Sequence, residues 1–260
     1  MFTAPVAYRL ISSDLTASLE RTARQPQVKR ESEHYLATIG SIKTIDDFMA
    51  NDRLYRYAMT AFGLEDMAYA KAYMRKVLAE GIDRSDSFAN KLSDPRFREF
   101  VETFNFARHG KATTSFGRTQ QGTVDRFVQQ TLEVGAGKEN EGVRLALYFG
   151  RKAPGVTSPL QLLADRALLK VTQVVLGMPP STGALDIDKQ SDLVSSRLDV
   201  ADLKNPDKLN RLIERFTALW ELENPTTGSG SGRSTVLIGA SPYGIDVDTL
   251  TLIQNVRLGR

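Results

Sequence analysis

Apolar residues recur every three or four positions along most of the chain. Between Ile45 and Phe62 they fall at Ile45, Phe48, Met49, Leu54, Tyr57, Ala58, Ala61 and Phe62, mostly one stripe of a helix. The same spacing returns in Met67–Leu78, Phe97–Phe104, Val124–Leu132, Leu145–Phe149, Leu162–Val175 and Leu209–Trp220. Two-residue alternation is nearly absent, and Ser234–Gly239 (STVLIG) is the one strand-like piece. The pattern predicts an all-α fold, a multi-helix bundle of about eight to ten helices.

The stop and start signals between these stripes repeat. Asn51–Leu64 (NDRLYRYAMTAFGL) and Asp165–Met178 (DRALLKVTQVVLGM) align at a constant offset, with Leu54 on Leu168 and Gly63 on Gly177. Each glycine stands where a left-handed residue ends a helix at little steric cost. Downstream, Leu92-x-Asp94-Pro95 answers Leu203-x-Asn205-Pro206. An Asx side chain before proline is a helix start: the Asx caps, and proline gives up an N–H with no partner in the first turn. Gly63 and Gly177 are therefore expected as helix stops, and Asp94-Pro95 and Asn205-Pro206 as starts. One reading is an internal duplication, with similar modules at 45–107 and 159–223 packed around a groove. The other is that two amphipathic helices ending in glycine look alike by chance.

Residues 1–224 read as a single helical domain. Beyond Pro225 the character changes, and 225–244, with its TTGSGSGRS, has the composition of a flexible linker. Residues 245–260 then read as a short amphipathic C-terminal helix carrying Leu250, Ile253 and Val256. The chain has 260 residues and no cysteine, which excludes disulfides, thiolate metal sites and thiol catalysis together. Its first residues lack the charged and apolar regions of a secretory signal peptide, and no run of about 18 apolar residues is present to span a bilayer. A cytoplasmic protein fits, as does one exported without a Sec-type signal.

Candidate chemistry is sparse. Glu31-x-x-His34 has the spacing of a di-iron helix, but Phe106 stands three before His109, the second of the two histidines. Gly135-Ala136-Gly137-Lys138 lacks the earlier glycine and the following Ser or Thr of a phosphate loop and reads as a helix interruption. Asp186, Asp188 and Asp192 begin like a calcium loop, but Ser191 and Arg197 occupy two required positions. No catalytic residue, cofactor or metal is assigned. The net charge is only +3. The densest basic stretch, Arg21–Arg30, reads as a solvated helical face, so no nucleic-acid partner is expected. Phe97, Phe100, Phe104, Phe106 and Phe116, with Tyr55, Tyr57, Tyr69 and Tyr73, have core spacing first, although a large exposed part would mark a partner site.

Asp46–Leu64 (DDFMANDRLYRYAMTAFGL), Ser87–Phe106 (SFANKLSDPRFREFVETFNF), LEVGAGKENEGVRLALYF within Val124–Phe149, and Arg215–Trp220 (RFTALW) together carry a resemblance. They resemble an alphaproteobacterial family of all-helical domains of unknown function whose genes tend to lie among flagellar genes. The similarity runs from about Tyr8 to Glu223 and resumes at Leu250–Gly259. It implies a non-enzymatic protein-binding or structural role, as a flagellar assembly, structural or export-associated factor with a protein partner. The alternative is a small-ligand-binding protein or enzyme with its site between the helical halves.

Overall fold

The structure, a computed structural model, describes residues 2–226. Residues from 227 on lie outside the described residues, and with them most of the linker expected at 225–244, the strand-like 234–239 and the helix expected at 245–260. Among the described residues there is no strand. The α-helices are α1 (Ala4–Ser12), α2 (Leu15–Ala23), α3 (Pro26–Ile39), α4 (Ile45–Ala50), α5 (Asp52–Ala61), α6 (Lys71–Glu80), α7 (Phe88–Lys91) and α8 (Pro95–Thr103). They continue as α9 (Phe106–His109), α10 (Gln121–Glu139), α11 (Glu141–Lys152), α12 (Pro159–Ala164), α13 (Arg166–Leu176), α14 (Ile187–Ser195) and α15 (Pro206–Glu223).

The fold is all-α, and its helices outnumber the stripes because single capping residues cut them. Asn51 ends α4 and starts α5, its side chain accepting from Leu54 N at 3.1 Å. Asp165 divides α12 from α13 in the same way, accepting from Ala167 N at 2.8 Å and Leu168 N at 3.1 Å. The interruption expected at Gly135–Lys138 is absent. Helix α10 runs through both glycines and breaks at Asn140, whose side chain accepts from Gly142 N at 2.9 Å to start α11. Gly137 serves close packing instead, since a Cβ there would lie 2.8 Å from Arg144 Cδ on α11. The basic stretch is also not one helical face, because α2 and α3 are separated at Gln25.

The order of elements is the same in the two stretches with matching signals. A six-residue helix (α4, α12), a one-residue Asx joint and a longer helix (α5, α13) lead to a left-handed glycine, Gly63 at φ 67° and Gly177 at φ 60°. Both ends close alike: Leu64 N donates to Met59 O at 2.8 Å, and Met178 N to Gln173 O at 2.9 Å, with the apolar Leu64 and Met178 buried. A 3-10 turn follows (Glu65–Met67, Pro180–Ala184), then a helix (α6, α14), a short helical piece (α7, Val200–Lys204) and the Asx-Pro start. Asp94 accepts from Arg96 N to open α8, and Asn205 accepts from Asp207 N and Lys208 N to open α15.

Two hydrophobic cores form. The first gathers Tyr35, Phe48, Leu54, Met59, Phe100 and Phe104 among others; the second gathers Ala4, Phe149, Leu162, Val171, Ile213 and Phe216. Helices α10 and α11 lie side by side between them, α10 packing on α2, α3 and α5, and α11 on α1, α13 and α15. The aromatic set is mostly core: Tyr55, Tyr57, Phe97, Phe100, Phe104 and Phe106 are buried, whereas Tyr69 is 80% exposed. No described helix is long and apolar enough to cross a membrane.

Candidate functional site: a charged cleft between the two cores

Helix α11 has two chemically opposed faces. Val143, Ala146, Leu147 and Phe149 enter the second core, while Glu141, Arg144, Tyr148, Arg151 and Lys152 recur at three- and four-residue steps along the other side. That polar side forms one wall of a cleft of about 730 Å³. The end of α5 at Gly63, the start of α8 at Asp94 and Arg96, Arg126 and Gln130 of α10, the start of α13, and Trp220 of α15 complete it. A second recess of about 460 Å³ shares Gly63, Asp66, Arg96 and Gln130 with it.

Ion pairing inside the cleft is dense. Arg96 donates to both Asp94 oxygens, at 2.7 Å from Nη2 to Oδ2, and reaches across to the Gly63 carbonyl through Nη1. Burial works against the Asp94 charge, but hydrogen bonds from the Arg96 side chain and backbone outweigh it and hold the carboxyl below its ordinary range. Glu99 of α8 receives Lys152 of α11 and, at 3.4 Å, Arg126 of α10. Arg144 pairs with Glu141 one turn away. Arg151 donates bidentately, at 2.7 and 2.9 Å, to Glu133 of α10, which is only 1% exposed and also accepts from Gln129. Tyr148 donates its hydroxyl to Asp165 Oδ2 at 2.5 Å while Asp165 Oδ1 caps α13. Burial, then the neighbouring Asp165 charge, push the Tyr148 phenol up, so it stays a donor.

Trp220 is seated by the absence of a side chain at Gly142, where a Cβ would lie 2.3 Å from Trp220 Cδ1. Lys170 Nζ stands 5.7 Å from the centre of the same ring. Lys170 and Arg166, one turn apart on α13, are exposed, and neither forms an ion pair among the described residues. Apart from the exposed Asp66, every cleft carboxylate is thus held by a cation, a phenol or helix N–H groups. The chemistry on offer is recognition of anionic groups.

Of the residues singled out from sequence, Gly63 and Asp94 line this cleft and Pro95 follows Asp94 directly, while Gly177, Asn205 and Pro206 do not line it. The two helical stretches therefore contribute non-equivalent ends to the cleft: the C-terminus of α5 and the N-terminus of α13. Glu31 is engaged at 3.0 Å by Arg53, which lowers its pKa, and His109 packs edge-on against Phe116. Among the described residues no group of three or more His, Asp or Glu is placed to hold a metal. Asp186 caps α14. The cleft cations were missed from sequence; their local traces are the polar stripe of α11 and the four-residue spacing of Arg166 and Lys170 on α13.

A family model described as "Protein of unknown function (DUF1217)" matches residues 61–209. The chain belongs to the DUF1217 family. The match takes in every cleft-lining residue except Trp220. The chain is also similar to a protein from Agrobacterium tumefaciens, an alphaproteobacterium, whose crystal structure shares 50% sequence identity with a TM-score of 0.79, covering 85% of this chain and 94% of that one. No match was found among curated proteins.

Proposed function

We propose that this DUF1217 protein is a non-enzymatic protein-binding component that acts through the cleft between its two cores. The observation that carries the reading is the division of labour among the cleft charges. Its carboxylates are engaged internally, apart from exposed Asp66, while Arg166 and Lys170 are exposed without an ion-pair partner among the described residues, Lys170 beside Trp220. Arginine and tryptophan at a partly enclosed surface are characteristic of protein-recognition anchors. The flagellar setting, as an assembly, structural or export-associated factor, rests on the family resemblance in the sequence. With that setting we propose a cytoplasmic protein or one exported by a flagellar-type route.

Two experiments test this. Deleting the gene and scoring swimming and filament morphology tests the setting; intact filaments and normal swimming overturn it. Capture of partners by the full chain, compared with an Arg166→Glu/Lys170→Glu variant, tests the cleft, and equal capture by both overturns it. A small-ligand site is the second reading, favoured by a cleft volume within the range of about 300–1,000 Å³ that such sites occupy. A metabolite that raises the thermal midpoint of the wild type and not of the variant would support it over protein binding.

A further inference from the structure

Resting on the protein-binding reading, we infer that the cleft takes an acidic peptide segment, with two of its carboxylates engaged by Arg166 and Lys170. These residues are four apart on α13, so their backbones are separated by about 6 Å along the axis. That rise matches acidic residues one turn apart on a helix, or two apart on an extended chain at about 3.3 Å per residue. Both cations are exposed and unpaired among the described residues, so binding does not require an internal pair to break. The same cleft holds a second cationic point, where Arg126 and Lys152 share the single carboxylate of Glu99.

The interleaved negative charges select among anions. Asp94, Glu99 and Glu141 line the same cleft, and a densely charged strand such as a nucleic acid would bring its phosphates against them. A peptide carries its carboxylates on flexible side chains that can turn toward the cations and away from these carboxylates, whereas phosphates fixed in a backbone cannot. The cleft also offers Trp220, Met67 and Leu145, apolar surface that the methylenes of glutamate side chains can cover.

The probe is a fluorescein-labelled hexaglutamate peptide, titrated into the full chain at low salt and read by anisotropy. In parallel, unlabelled hexaglutamate is followed by the emission of Trp220, the one tryptophan of the sequence. Binding that shifts this emission, weakens with added salt and falls by about tenfold or more in Arg166→Glu/Lys170→Glu is the expected result. Should the charge reversal disturb folding by circular dichroism, Arg166→Gln/Lys170→Gln carries the same comparison. No binding at low salt, equal binding by the variants, or tighter binding of a single-stranded oligonucleotide of equal charge would overturn the inference. So would inorganic phosphate competing as well as free hexaglutamate at equal charge. If hexaglutamate fails while the variant still loses its captured partner, the acidic chemistry falls and the protein-binding reading stands. If capture is unchanged in the variant, that reading falls with it.

Discussion

Gly142 and Gly177 are both glycines beside helix ends, and they are required for opposite reasons. Gly142 leaves room for a rigid ring; Gly177 has nothing within 4 Å of an added Cβ but holds φ 60°. Gly142→Ala should cost roughly 1–3 kcal/mol through forced displacement of Trp220, and should alter tryptophan emission. Gly177→Ala should cost about 1 kcal/mol through backbone strain alone, with emission unchanged. Denaturant melts followed by fluorescence separate the two. Asp94 carries a pH dependence. Its folded pKa lies below the unfolded value of about 3.9, so the stability it lends is complete above that value and is lost as pH falls through the folded pKa. Asp94→Asn retains a capping side chain but not the charge. The stability gap between wild type and Asp94→Asn should be constant near neutrality and close on acidification below pH of about 4; a gap that widens toward acid would refute the assignment.

Among elements, the joint between α10 and α11 matters most, because it sets the wall of the cleft. Asn140 caps α11 and also donates to Thr226 Oγ1 at 2.9 Å, tying the joint to the chain leaving α15. Asn140→Ala should destabilise by about 1 kcal/mol, measurable as a lower denaturant midpoint at unchanged slope. This joint also marks the boundary of what sequence reveals. The Asx-Pro starts at 94 and 205 and the glycine ends at 63 and 177 were legible because each is local chemistry acting within one turn. Asn51 was hidden within a continuous apolar stripe, and Asn140 stood close behind two glycines that looked like the break. The cleft was illegible for a different reason: Glu99 and Lys152 are 53 positions apart and Glu133 and Arg151 are 18 apart, pairings that only packing decides. From sequence alone the same arginines and glutamates look like solvated charge.

For the molecule as a whole, the cleft's ion pairs link elements serving the two cores as well as providing recognition surface. Glu133, itself almost wholly buried, joins α10 to the more exposed Arg151 of α11, and Glu99 to Lys152 joins α8 to α11. Glu99 is the position where these two roles separate. Its carboxylate is partly buried and neutralises two cations, so Glu99→Gln should lower stability by about 1 kcal/mol. The same change removes one negative charge from a cleft argued to bind carboxylates, so hexaglutamate should bind more tightly than to wild type, most visibly at low salt. A less stable protein that binds its probe better is hard to produce by general loosening, which would weaken both. Affinity and thermal midpoint measured side by side on Glu99→Gln therefore distinguish a recognition cleft from a purely structural seam: opposite signs support recognition, and a parallel fall would return these charges to the scaffold.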